Sequence, residues 1–204
     1  MKKVLELEYE FLIKPDINPE LSHYVLEFSG RATCWDDEAG EDRDVAKMRG
    51  HRIDLALARH DGVDIDELFE SLYPDILEFE ATTFRDSTCW LTEPDPSGHP
   101  VECACLVYID ELVVAEDYRN NGIGTGMMKR MTEVIDLEDC LVGLKAFPIS
   151  SEYGRKRSTE ELQRLRAFYH RLGFVHAGKH FFEKDGNKCY APQKRKNTPR
   201  SKRA

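Results

Sequence analysis

The 6 cysteines and 7 histidines of this 204-residue chain form no CxxC pair, no HExxH and no finger spacing. A zinc ribbon, a classical zinc finger and a zincin site are therefore excluded, and no metal is expected. No apolar run approaches the ~20 residues that cross a bilayer, so no membrane partner is expected. The opening MKKVLELEYEF is interrupted by glutamates and does not read as a signal peptide. No internal repeat is present. A GK[ST] sequence after glycines is missing, which excludes a Walker loop, and the supporting set of a kinase glycine loop is missing too.

Positive charge is also scarce. Lys and Arg number 29 against 38 Asp and Glu, a formal charge of -9. Such a body repels nucleic acid and favours cationic partners. Six of the cations sit in the last eleven residues, KRKNTPRSKRA (194–204), with no acid among them. That tail reads either as a solubilising end or as an electrostatic arm for RNA, DNA or an acidic protein. What is plentiful is core material: 41% hydrophobic and 10% aromatic residues, enough for one large domain or one domain with an extra lobe. A chain of this size needs no disulfide staples, so reduced thiols and a cytoplasmic home are expected. Cys103-Ala104-Cys105 should put both thiols on one face of a strand, as packing rather than ligation.

Residues 3–13 alternate, with Leu5, Leu7, Tyr9, Phe11 and Ile13 apolar, which predicts a half-buried strand ended by Pro15 and Pro19. Leu21–Phe28 reads as a second strand and the acidic 36–44 as a loop or hairpin tip. Val45–Arg59 reads as one or two further strands, with Ile53, Leu55 and Leu57 on one face. From Asp64 the period becomes helical through Ile65, Leu68, Phe69, Leu72, Ile76, Leu77 and Phe79, with Pro74 kinking or splitting the helix. Residues 93–100 are a loop by composition. Val101–Ala115 is the most strand-like segment and long enough to cross the centre of a sheet. A helix follows over about 122–136, then a strand over Leu141–Phe147 closed by Pro148. After a polar loop at 150–158, Thr159 or Ser158 caps a helix that runs to Leu172 and stops at Gly173. Phe174–Ala177 and His180–Glu183 read as closing strands. The pattern predicts an α/β fold, a mixed sheet with helices on its faces.

The sharpest chemical signal is Tyr118-Arg119-Asn120-Asn121-Gly122-Ile123-Gly124-Thr125, where the buried strand passes into a helix. A helix N-terminus offers unpaired amides and the positive end of a dipole, and glycines let backbone approach an anion. The glycines run 122, 124 and 126, with no acid following at the place a dinucleotide fingerprint needs. What remains is R-x-x-G-x-G opening a helix. The second signal is Leu165-Arg166-Ala167-Phe168-Tyr169-His170-Arg171-Leu172-Gly173-Phe174, which by itself reads as an apolar helix face with a glycine stop.

In this order and spacing, RNNGIG and AFYHRLGF resemble the GNAT superfamily of acyl-CoA-dependent N-acyltransferases. The resemblance covers about residues 101–183. It implies a mostly antiparallel mixed sheet flanked by helices, with 1–62 as a strand-rich segment of the same fold, 63–190 as the core and 191–204 as a basic tail. It implies acetyl-CoA as co-substrate. Backbone groups of Leu112, Val113 and Val114 would hold the pantetheine arm, and the amides of Arg119, Asn120, Asn121, Gly122, Ile123, Gly124 and Thr125 the pyrophosphate. Tyr169 would be the general acid: a phenol of pKa ~10 suits a thiolate of ~8.5–9 when held in reach. An asparagine often found near the start of the second motif is replaced here by Arg164.

For the base, alternation predicts Asp110 and Glu111 on opposite faces, so that at most one meets the cleft. Glu111 is preferred, acting through water, with a solvent-facing or ion-paired carboxylate as the competing reading. Arg155, Lys156 and Arg157 read as a solvated loop. The function implied is transfer of acetyl to a primary amine by direct attack, with a small-molecule or peptide amine as partner and a cationic amine favoured by the acidic body. The family is frequently dimeric, which implies a homodimer. Competing readings are a regulatory acyl-CoA-binding module with a degenerate cleft, and an RNA- or ribosome-associated acetyltransferase using residues 194–204.

Overall fold

A computed structural model describes residues 6–37, 39–72, 74–85, 89–91, 101–146, 159–178 and 181–186. The 93–100 and 150–158 loops, Pro148, Cys189 and the basic tail lie outside the described residues.

Strand β1 (Leu7–Pro15) opens with the expected alternation, Leu7, Tyr9 and Phe11 turned inward and Glu8 and Glu10 outward. The next strand departs from expectation. Leu21–Tyr24 form turns rather than a strand, with the Leu21 and Ser22 amides donating to Asn18 O. Strand β2 (Val25–Asp36) therefore starts late and runs into the segment read as the acidic loop. The Gly40 amide donates to Asp36 O at 2.8 Å where the chain reverses, and β3 (Glu41–Asp54) returns antiparallel to β2.

Alternation through Ile53, Leu55 and Leu57 predicts a continuing strand, but the chain turns helical at Leu55. Asp54 caps α1 (Leu55–His60), its side chain accepting from the Leu57 amide at 2.9 Å. Pro74 splits the next helical pattern as expected, into α2 (Ile65–Glu70) and α3 (Pro74–Thr83), where it takes the first helical position. Two short strands then pair antiparallel, β4 (Phe84–Arg85) with β5 (Trp90–Leu91).

The remaining elements match the predicted strand, helix, strand, helix, strand order. They are β6 (Cys105–Val114), α4 (Ile123–Val134), β7 (Cys140–Lys145), α5 (Thr159–Arg171), β8 (Val175–Ala177) and β9 (Phe181–Asp185). Seven strands form one sheet in the order β1-β2-β3-β6-β7-β9-β8. Its pairs are antiparallel except β6 with β7. This is the mixed, mostly antiparallel sheet flanked by helices that the resemblance implies.

Each face of the sheet has its own core. On one, α4 and α5 bring Ile123, Met127, Met131 and Tyr169 onto Met48, Val107, Ile109 and Leu144. On the other, α1, α2 and α3 bring Leu55, Leu68, Phe69 and Phe79 onto Val25, Ile53, Leu106 and Tyr108. β6 is thus buried on both faces. At ~1.5–3 kcal/mol for each fully buried aliphatic side chain, it anchors the domain.

The two thiols of Cys103 and Cys105 do not share a face. A bend at Ala104 sends Cys103 into the second core and leaves Cys105 in the first. The five described cysteines are free and buried. Burial pushes the Cys89 thiol up to about 11 and the Cys103 thiol up to about 12, so both stay neutral packing groups.

Candidate active site

The site follows from how β6 ends. β6 and β7 run side by side from Cys105/Cys140 to Ile109/Leu144, and there their pairing stops. β6 continues to Val114 bonded only to β3, with Leu112 opposite Met48, Val113 opposite Lys47 and Val114 opposite Ala46. Leu112, Val113 and Val114 therefore have an outer backbone edge with no partner strand among the described residues. Polar groups on such an edge are ready to pair with an extended ligand.

A bulge accompanies the separation. Arg49 stands opposite Glu111 but Gly50 stands opposite Ile109, which leaves Asp110 as an extra residue. Strict alternation predicts Asp110 and Glu111 on opposite faces, and the bulge overturns that. Asp110 Oδ2 lies 2.8 Å from His51 Nδ1, while Glu111 lies 2.8 Å from Lys47 Nζ and 3.1 Å from Arg49 Nε. His51, Arg49 and Lys47 alternate along β3 and share a face, so both carboxylates point the same way. His51 is buried, and its donor atoms, with those of Asp16 and Glu27, lie within 4.8 Å of one another.

Beyond β6, a single 3₁₀ turn (Glu116–Tyr118) leads into the glycine-bearing segment. Asn120 and Gly122 both adopt left-handed backbone, with φ of 64° and 82°. Asn121 Nδ2 donates to Tyr118 O and Arg119 O at 3.2 and 3.3 Å and holds the turn. Arg119 Nε donates to Val114 O at 3.1 Å, tying the turn to the strand end. Gly122 caps α4 with no side-chain bond, and the first helical bond is Gly126 N to Gly122 O at 2.9 Å.

The amides of Asn120–Thr125 thus have no partner among the described residues, whereas the Arg119 amide donates to Glu116 O. Alternating left- and right-handed residues at a helix start make a concave cluster of N–H donors suited to an oxyanion. A Cβ on Gly122 would meet nothing within 4 Å, so the cluster faces open space.

Helix α5 closes the other side. A Cβ on Gly124 would stand 3.3 Å from Phe168 Cζ and 3.7 Å from Val114 Cγ2, so strand end, turn and α5 converge there. Tyr169, next along, is 5% exposed among the rings of Phe168, Phe174 and Phe182. Burial pushes its pKa above the ordinary phenol value.

The structure gathers Leu112–Val114, Asn120–Thr125 and α5 at one end of β6, with Glu111 one residue past the bulge. Sequence reasoning misses Lys47 and Arg49 as neighbours of Glu111, and His51 as the neighbour of Asp110 on the same face. The first two carry a visible signal, since Lys47 and Arg49 alternate with buried Ala46 and Met48. Only the strand register shows that Glu111 lies opposite them.

No curated protein matches the chain. A chain from the crystal structure of the KacTA-DNA complex is similar at 9% identity and a TM-score of 0.40, over 88% of this chain and 96% of that one. Residues 85–176, from the end of β4 into β8, match Acetyltransf_7, the acetyltransferase (GNAT) domain. The class of chemistry carried by such a domain is acyl transfer. With the strand separation, the amide-lined turn and the α5 motif inside that span, the protein carries a GNAT acetyltransferase domain over residues 85–176.

Proposed function

We propose that the protein is a cytoplasmic N-acetyltransferase that uses acetyl-CoA and acetylates the primary amine of a small molecule or peptide. The observation that carries this reading is the departure of β6 from β7 after Ile109, which leaves the edge of Leu112–Val114 leading into the amide cluster of Asn120–Thr125. Edge and cluster suit the two polar parts of the co-substrate, the amide-bearing pantetheine arm and the pyrophosphate. Acetyl-CoA, when bound, supplies the acetyl group as a thioester.

The protein's own residues divide the remaining work. The strand edge orients the arm, and the turn amides with the α4 dipole hold the diphosphate charge. Glu111 accepts, through a water, the proton shed by the attacking amine. Lys47 holds its Oε1 and Arg49 its Oε2, which fixes the carboxylate in place. Tyr169 returns a proton to the departing sulfur. Its raised pKa keeps it protonated throughout the neutral range, and the same dry surroundings raise the proton affinity of a thiolate beside it.

The test is Tyr169→Phe. Acetyl-CoA affinity should hold and turnover should fall by about 10²-fold, within the usual span for one acid–base group. Stopped turnover with intact acetyl-CoA binding fits the assignment. Equal turnover by the two proteins removes Tyr169 as the acid.

A further inference from the structure

Helices α1–α3 cover only one end of the second sheet face, over Val25, Ile53, Leu106 and Tyr108. The other end is bare of helices among the described residues. Register places Glu10 opposite Arg31 and Arg31 opposite Lys47, and places Ser29 opposite Arg49 and Arg49 opposite Glu111. These side chains line a groove of about 430 Å³. That volume falls within the ~300–1,000 Å³ of small-molecule sites.

The groove reverses the charge of the chain. Three cations share two carboxylates: Arg31 Nε lies 2.6 Å from Glu10, while Lys47 and Arg49 both lean on Glu111. One positive charge is left over in a protein of formal charge -9. Placement accentuates it, because the side chains of Arg31, Lys47 and Arg49 are 58, 60 and 64% exposed while Glu111 is 11% exposed. Glu111 forms the floor, while Glu10, 66% exposed beside Arg31, shares the rim with the cations and leaves Lys47 and Arg49 as the cationic end. Arg49 meets Glu111 through Nε at 3.1 Å, and its guanidinium is a fork of five N–H donors shaped to grip an oxyanion. Past Arg31 the lining sets Glu8, Glu41, Asp42 and Asp44 against the single cation Arg43, so an anion is favoured at the Lys47–Arg49 end.

We propose that this groove binds the anionic part of the acceptor, so that the amine substrate carries a carboxylate or a phosphate. The anion docks on Arg49 and Lys47, and the amine is left beside Glu111. The inference rests on the acetyl-transfer reading for its chemistry. It reverses the cationic acceptor that net charge alone suggests, because a pocket responds to its own rim.

The test uses matched amines with the full-length protein: glycine against glycinamide, and O-phosphoethanolamine against ethanolamine. The wild type should prefer the anionic member of one pair, and which pair it is separates carboxylate from phosphate. In Arg49→Gln and Lys47→Gln that preference should fall roughly tenfold or more, as one lost charge-assisted bond implies. Arg130→Gln, on α4 away from the groove, should keep it. Because the readout is a ratio between paired amines, any general slowing from disturbing Glu111 cancels.

Calorimetric titration of the same four compounds reads the groove without turnover. Binding of the anionic members that Arg49→Gln abolishes, with no transfer to any amine, keeps the groove and removes the acetyl-transfer reading. Transfer that favours the members lacking the carboxylate or phosphate overturns the proposal, as does a preference untouched by both variants. Absence of both transfer and anion binding overturns it too.

Discussion

Gly122 offers a perturbation whose two effects can be separated. Its φ is +82°, and an added Cβ meets nothing within 4 Å. Gly40, at the β2–β3 hairpin tip, is a matched control with φ +69° and equally open space. Alanine in left-handed backbone costs about 1–2 kcal/mol. Restricting the unfolded chain offsets about 0.4–1 kcal/mol of that. The net loss is about 1 kcal/mol in either variant, or roughly 2–4 °C in Tm for a domain of this size.

The functional effect should split them. At Gly122 the methyl enters open space at the start of α4, beside the amides of Ile123, Gly124 and Thr125 proposed to hold the diphosphate. Acetyl-CoA affinity should drop about tenfold in Gly122→Ala, the worth of one charge-assisted bond, and stay unchanged in Gly40→Ala. Differential scanning fluorimetry reads the first effect and isothermal titration the second. Gly122→Ala with wild-type affinity refutes the role of the turn. Equal weakening in both variants shows that stability, not contact, governs binding.

Two further predictions address other parts of the account. Glu111→Gln should cut turnover at least tenfold while acetyl-CoA affinity holds; steady-state kinetics with full activity retained would remove Glu111 as the proton acceptor. Tyr108 is 1% exposed and its hydroxyl has no partner among the described residues, so Tyr108→Phe should be neutral or stabilising by up to about 1 kcal/mol. A loss above about 2 kcal/mol in urea denaturation would mean that the hydroxyl is bonded after all.

The C-terminal half of the domain is legible in the sequence because its signals are local. Gly122 and Gly173 start or stop helices through their own φ, and the buried run of β6 is apolar on both faces whatever its neighbours do. Errors fall where the outcome depends on another strand or on one cap. The apolar alternation through Ile53, Leu55 and Leu57 is genuine, yet the Asp54 carboxylate bonding the Leu57 amide turns the backbone helical.

The bulge at Asp110 is an extra residue only relative to β3, so nothing within β6 announces it. It decides that Asp110 and Glu111 share a face, and it brings Glu111 beside Lys47 and Arg49. The charged groove is illegible for the same reason, since its members come from four strands far apart in sequence. The turn, by contrast, is readable from its own residues, apart from the Arg119 amide, which the 3₁₀ turn engages.

The most direct measurement is calorimetric titration of the protein with acetyl-CoA, with NAD and ATP as controls. The account predicts selective, saturable binding to one site in the micromolar range, weakened in Gly122→Ala and retained in Tyr169→Phe. Failure to bind acetyl-CoA or any longer acyl-CoA, or equal binding of ATP and NAD, would contradict the assignment of the strand edge and turn as an acyl-CoA site.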